Sequence, residues 1–306
     1  MNVPAIDFMG KRKLAGYTSM GLIVLSCLSL AVSGLNQGLD FTGGTLVEVG
    51  FDAPIDPETV RSQLEQSGFA NGVVQQFGTD RDLLIRMPPQ DIDDQATLGD
   101  RILESVREHH PNAIMRQSNF VGPVVGEELT ESAGLALLAA LGVVMLYILF
   151  RFTKQFSVGA VAALVHDVII VFGIFSVLQW TFDLPVVAAL LAVIGYSLND
   201  TIVVSDRIRE NFRQIRKGSS IDIINRSLNQ TLGRTLVTSL TTLSVLLALL
   251  IAGGEGMRGF AAALTIGVVV GTYSSIYIAS NVLIVMNISR EDLLIPEKES
   301  PDQSYP

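Results

Sequence analysis

Apolar positions in this chain fall into six runs, at 14–35, 133–150, 157–180, 184–205, 235–252 and 260–288. A helix needs roughly 20 apolar residues to cross a bilayer, so each run predicts one transmembrane helix. Between the first and second runs lies a polar stretch, 36–132, with other periods. The alternation at 46–51 predicts a strand, weakened at Gly50. Asp56 stands where an N-cap belongs and predicts a helix over 57–67. Segments 73–77 and 83–87 predict a hairpin around Gly78, Thr79 and Asp80. Leu98, Ile102, Leu103 and Val106 give helical spacing within 93–109, closed by Pro111, and 113–121 supplies a last strand. The order βαββαβ predicts a ferredoxin-like α+β sandwich.

Two stretches are polar for other reasons. In the 206–234 loop, Ile208, Phe212 and Ile215 recur at helical spacing among Arg207, Arg209, Arg213 and Arg216. That pattern predicts a basic helix lying on the membrane face near anionic headgroups. The tail 290–306, with Pro296, Pro301 and Pro306, is expected to be disordered.

Composition agrees with a membrane protein: 49% of the 306 residues are apolar, and the mean hydropathy is +0.44. The net charge of -9 argues against nucleic acid as a partner. Lys11, Arg12 and Lys13 precede the first run, within a 1–13 N-terminal segment, and Ala31-Val32-Ser33 resembles a signal-peptidase site. A signal peptide has a shorter apolar region, about 7–15 residues, so an uncleaved anchor is expected over 14–35. Basic residues cluster in the N-terminus, the 151–156 loop and the 206–234 loop, whereas the opposite short loops carry only Arg258. The 36–132 stretch holds 6 Arg against 17 Asp plus Glu. By the positive-inside rule both termini are cytoplasmic and 36–132 is periplasmic, in a multi-pass inner-membrane chain. The membrane-embedded part, 133–289, then holds helices 2–6.

Ordinary enzyme signals are missing. Cys27 is the single cysteine, the three histidines show no zinc-ligand spacing, and no P-loop occurs. No metal and no cofactor is expected. Gly254–Gly259 matches G-x-G-x-x-G but follows no strand, and is expected to be a turn between two apolar helices.

Ionisable groups inside apolar spans carry more information, because an Asp at the centre of a transmembrane helix costs about 2.5–3.5 kcal/mol on insertion scales. Asp167, next to His166, lies mid-way along the third run, and Asp200 lies in the fourth, in Ser197-Leu198-Asn199-Asp200-Thr201. Ser197, Asp200 and Thr201 share a helix face, which should turn inward or line a hydrated path. Burial favours a neutral carboxyl and a nearby cation favours its charged form, so a movable cation makes Asp a proton carrier. Arg234, at the edge of the fifth run, is the candidate cation. Asn199 and the neighbouring hydroxyls could hold water, or the polar groups could merely join helices.

These residues lie in a wider pattern. Gly38-Leu39-Asp40-Phe41-Thr42-Gly43-Gly44, Val121-Gly122-Pro123-Val124-Val125-Gly126, Val165-His166-Asp167-Val168, the run from Ala192 to Asn211 and Asn229–Thr235 resemble the SecF family, of the resistance-nodulation-division superfamily, over nearly the whole chain. Ser205 is a small departure, where a larger apolar residue is expected. The resemblance implies pairing with SecD, which supplies six further spans, beside the SecYEG channel, the SecA ATPase and YajC. It implies export of unfolded polypeptide driven by protons, with proton transport at Asp200 and Arg234. Gly38, Asp40, Gly43, Gly44, Gly122, Pro123 and Gly126 would pass movement between membrane and outer domain. The rival readings are a small-solute transporter, which needs a larger outer domain, and a scaffold that stabilises a channel without transducing energy. An enzyme would need a nucleophile–base pair or a metal cluster.

Overall fold

In the computed structural model residues 6–69, 71–89 and 97–293 are described. Among these residues six helices are long and apolar enough to span a membrane. The first, α1, runs Arg12–Val32. After it come a two-residue strand β1, Asn36–Gln37, and a single helical turn α2, Leu39–Thr42. The α+β domain follows: β2 Gly44–Gly50, α3 Pro57–Gln66, β3 Val73–Phe77, β4 Thr79–Met87, α4 Leu98–His109 and β5 Ile114–Val121. The chain then returns through α5 Pro123–Arg151, α6 Lys154–Leu178, the two-residue strand β6 Thr181–Phe182, α7 Leu184–Gln214, α8 Ser220–Ala252 and α9 Glu255–Ser274. A π-helical segment, Ser275–Ala279, continues α9 into α10, Ser280–Val285.

The four strands of the domain lie in the order β3-β4-β2-β5 and every neighbouring pair is antiparallel. This is the ferredoxin-like arrangement that the βαββαβ order predicts. Period-two alternation does the sorting: Val47, Val49, Leu83, Ile85 and Met87 point to one face and bury against Val60, Leu64, Leu98, Ile102 and Val106. The Asp56 carboxylate caps α3, accepting from Glu58 N at 3.3 Å. The hairpin turn is tighter than expected. β4 starts at Thr79 and pairs it with Phe77, so only Gly78, at φ +70, turns the chain. Residues 93–96 of the expected second helix lie outside the described residues.

Apolar packing in the bundle divides into two clusters. Phe41, Val171, Phe175, Phe182, Val186 and Leu190 form one at the end carrying the α+β domain. Met9, Phe152, Phe156, Ile208, Phe212, Ile224, Leu228 and Leu293 belong to the other, at the far end. Close helix contacts use small residues. On α9, positions 259, 263, 267 and 271 are Gly, Ala, Gly and Gly, one every turn. A Cβ at Gly259, Gly267 or Gly271 would meet Val186, Val193 or Ser197 of α7 at 3.0, 2.1 and 3.1 Å. Without large side chains in the seam the two backbones approach closely, the packing mode favoured in lipid.

Three expectations are corrected. The stretch 206–234 is not a loop. α7 continues unbroken to Gln214, Ser219 caps α8, and only five residues lie between. Ile208 and Phe212 are buried in the far-end cluster rather than lying on a membrane surface, because both helices carry their apolar stripe past the end of the hydrophobic run. Gly254–Gly259 is a turn only at its start: Gly254 takes φ +72, and α9 already runs from Glu255. The segment from 290 begins with a 3-10 turn, Glu291–Leu293, and Leu293 is 3% exposed; residues 294–306 lie outside the described residues.

Candidate functional site: a polar layer at mid-bundle

Between the two apolar clusters the bundle turns polar. Asp167 of α6 is fully buried and Asp200 of α7 is 8% exposed. Neither carboxylate touches a Lys or Arg among the described residues. Each is held instead by hydroxyl donors. Ser197 Oγ donates to Asp167 Oδ2 at 2.5 Å and Ser274 Oγ donates to the same oxygen at 2.8 Å. His166 Nδ1 lies 2.9 Å from Asp167 Oδ1, while its buried Nε2 has no hydrogen-bond partner among the described residues. Thr235 Oγ1 of α8 donates to Asp200 Oδ1 at 2.6 Å, and Ser275 Oγ donates to Oδ2 at 2.6 Å. Hydrogen bonds to ionised groups are short and about twice as strong as neutral ones, so these hydroxyls can support a charge at either site.

A second ring of contacts surrounds the carboxylates. Ser239 and Thr272 hydroxyls are 2.7 Å apart, and Tyr196 Oη donates to Ser239 Oγ at 3.3 Å. Tyr273 Oη donates to Ala15 O at 2.8 Å and stacks near His166, with ring centroids 6.1 Å apart, so α1 also reaches the layer.

The expected residues do not all meet. Ser197 serves Asp167, not Asp200, although the two share a face of α7. Thr201 is buried but makes no hydrogen bond to either carboxylate. Asn199 is exposed, because neighbouring residues on a helix point about 100° apart and Asp200 takes the inward direction. It continues an exposed stripe of small residues, Ala188, Ala192 and Gly195. Arg234 is exposed as well and forms no salt bridge among the described residues; its neighbour Thr235 holds the Asp200 contact. The Asp200–Arg234 pair is therefore not made in this conformation. Thr235, Ser274 and Ser275 were not singled out by sequence. Serine and threonine are common in spans, where most bond their own helix, as Thr238, Thr241 and Ser244 do here.

The expected coupling residues do come together, at the junction of bundle and domain. Gly43 and Gly44 take φ +67 and +115, and a Cβ on Gly44 would meet Met87 O at 2.3 Å. Gly126 of α5 packs on the same turn, where a Cβ would lie 3.0 Å from Gly43 N and Phe41 O. Gly122 is the N-cap of α5 and Pro123 fills its first position. Gly38 N donates to Phe182 O at 2.7 Å, within the parallel β1–β6 pair. Asp40 Oδ2 accepts from Leu184 N at 3.0 Å, and Asp183 Oδ1 from Val186 N at 3.1 Å, so both carboxylates sit on the N-terminus of α7. Arg86 of β4 reaches the same corner and donates to Gln37 O at 2.9 Å. Chain entry, chain exit and the start of the helix carrying Asp200 are thus fastened at one place. Beside it a cavity of about 1130 Å³ separates the open face of the sheet, at Leu46, Glu48, Leu84 and Arg86, from Trp180 and Arg258.

Comparison with known proteins places the whole chain. Residues 101–289 match the family model described as protein export membrane protein SecD/SecF, C-terminal, and residues 28–55 match the SecD/SecF GG motif. The chain is 50% identical to protein translocase subunit SecF of Vibrio alginolyticus, covering 98% of this chain and 96% of that protein. It is 46% identical to the SecF of Pseudomonas aeruginosa, over 100% and 99%. It is also similar to the crystal structure of SecDF, a translocon-associated membrane protein from Thermus thermophilus, at a TM-score of 0.86 and 40% identity; the match covers 94% of this chain and 39% of the longer SecDF. A SecDF structure in a super-membrane-facing form matches with a TM-score of 0.70.

Proposed function

This chain belongs to the SecD/SecF family of protein-export membrane proteins, and from that membership we propose that it is a proton-driven motor subunit acting late in export. Its relatives are protein translocase subunits, so a transport role in protein export is its general function. The finer reading rests on one observation: two buried carboxylates, each held by hydroxyls and, among the described residues, by no Lys or Arg, lie in a polar layer sealed above and below by apolar clusters.

A carboxyl group in that setting can exist in two states. Ionised, it is satisfied by the hydroxyl donors. Neutral, it has a proton of its own to donate and accepts more weakly, so the helices tied by those donors are held less tightly. Arg234 enters as the cation of a second conformation. Rotating α8 by about 100°, the angle between successive residues, would bring position 234 to the place of Thr235. Alternation between these arrangements would move α7, whose N-terminus is fastened to the α+β domain through Asp40, Asp183 and the Gly43–Gly44 turn. The domain would then grip and release emerging polypeptide.

The basic ends of the helices support cytoplasmic termini in an inner membrane, with the α+β domain periplasmic. SecD is the expected partner, since SecDF of Thermus thermophilus joins both names in one chain of which this chain covers 39%. The exposed stripe Ala188, Ala192, Gly195 and Asn199 suits a partner helix, because small residues and an amide at bilayer depth are the usual means of helix association. SecYEG, SecA and YajC are the further expected neighbours. Protons are the coupling ion, and no other cofactor enters the reading.

The test is Asp200→Asn in the intact complex, with completion of translocation measured in inverted vesicles. Loss of gradient stimulation with assembly and SecA-driven early steps intact supports the motor. Full stimulation refutes it. A scaffold role is favoured by one observation, that the Asp200 bonds tie α7, α8 and the π segment together; it predicts loss of assembly instead.

A further inference from the structure

Ser274 ends α9 and Ser275 opens the π-helical segment, and both are fully buried. Ser274 donates to Asp167 Oδ2 at 2.8 Å, and the carbonyl of Gly271 lies 3.2 Å from the same hydroxyl oxygen. Ser275 donates to Asp200 Oδ2 at 2.6 Å, with the carbonyl of Thr272 at 3.0 Å. A hydroxyl has one proton to give. Each serine therefore stands between two acceptors, a carboxylate on another helix and the carbonyl three residues back on its own.

Protonation of the carboxylate decides between them. An ionised carboxylate is the stronger acceptor and holds the serine proton. A neutral carboxyl group has a proton of its own to donate, and the serine oxygen is in place to accept it. The serine proton then turns to the backbone carbonyl. Each serine is a two-position rotor set by its carboxyl group. The two rotors stand on adjacent residues of one turn of backbone, the shortest path by which a shift in one would reach the other. The turn is also where the helix changes from α to π winding, a form that occurs mostly as single-turn insertions and is frequent at functional sites. Beyond it Ala279 packs on Gly159 of α6, where a Cβ would lie 2.9 Å from Ala279 O, so the segment is clamped on its far side.

We propose that Ser274 and Ser275 are positioning residues that couple the protonation of Asp167 to that of Asp200. The inference rests on the reading of these carboxylates as proton carriers. It adds that they titrate as a linked pair through the π turn, although they sit on different helices and neither hydrogen-bonds the other.

The experiment is infrared difference spectroscopy of the full complex in lipid between acid and alkaline buffer. Carboxyl C=O bands are assigned by their loss in Asp167→Asn and Asp200→Asn. With native serines, Asp200→Asn is expected to shift the Asp167 band. In the Ser274→Ala/Ser275→Ala background that cross-shift should vanish, and gradient-stimulated export should fall by roughly tenfold, within the usual range of coupling between sites. Ser275→Thr with Ser274 native keeps a hydroxyl at each position and should retain both, which separates coupling from packing. Absence of the cross-shift with native serines, or its survival in the double alanine variant, overturns the proposal. Normal export in Asp200→Asn with the cross-shift present would leave the coupling standing and remove the proton-driven motor instead.

Discussion

Asp40 and Asp183 stand together on the N-terminus of α7, one accepting from Leu184 N at 3.0 Å and the other from Val186 N at 3.1 Å. Burial, and then the charge of Asp40, raise the Asp183 carboxyl above its usual range, against the helix N-H groups and Arg86. A raised folded-state value means that the folded protein binds the proton more tightly than the unfolded chain. The junction should therefore gain stability as pH falls from neutral toward the ordinary carboxylate range. Asp183→Asn keeps a capping side chain and removes the charge. It is expected to flatten this gain, as read by protease resistance of the Gly38–Gly44 segment at neutral and mildly acidic pH.

Gly44→Ala should break the same junction. At φ +115, with Met87 O at 2.3 Å from any Cβ, alanine has neither the conformation nor the space. The expected cost is about 2–4 kcal/mol, enough to unfold a marginal domain. Gly122→Ala, where no atom lies within 4 Å, is the matched control and should be tolerated. Thermal unfolding of the two variants tests the contrast, and equal stability would contradict it.

Gly267→Val should separate α7 from α9. Its Cβ would begin 2.1 Å from Val193, and the seam positions Ser197 one turn further on. A valine at 267 should displace Ser197 from Asp167 and lower gradient-stimulated export by more than tenfold, on the order of one hydrogen bond to a charged group. Gly134→Val, at an exposed position of α5 with no atom within 4 Å, should leave export unchanged.

Asp200 and Arg234 are expected to act as one unit despite their separation in this conformation. Asp200→Asn and Arg234→Met should each abolish gradient stimulation, and the double variant should be no worse than either, because residues serving one step are not additive. Vesicle export assays on the three variants check this. A clearly additive double variant would separate the two residues and leave Thr235 as the α8 partner that matters.

Much of this was legible in the chain. Six apolar runs gave six helices, and alternation gave the order and facing of the strands, because in both cases burial of a continuous apolar set decides the outcome. Asp167 and Asp200 stood out because an acidic group in a span needs a reason. The partners of those groups were hidden. Ser274 and Ser275 look no different from serines that bond their own helix, and only the packing of α9 on α6 and α7 distinguishes them. Asn199 misled because adjacency in sequence is not adjacency on a helix surface. The continuous helices through 206–234 were missed because charge marks water exposure but does not end a helix. Their inward residues, Ile208 and Phe212, held the signal.

The N-terminal segment records an order of assembly. Asn225 and Asn229, one turn apart on α8, bond the backbone at Ile6 and Phe8, with Asn225 Oδ1 accepting from Phe8 N and Asn229 Oδ1 from Ile6 N, each at 2.9 Å. Phe8 and Met9 are buried behind them. Residues 6–9 therefore find their seat only on a helix that begins more than two hundred residues further along the chain. Until it arrives an apolar segment stands uncovered, and the far end of the bundle remains open while the other spans are threaded. The segment at 6–9 can be covered only once α8 is in place, so its contacts with Asn225 and Asn229 close the far end of the bundle.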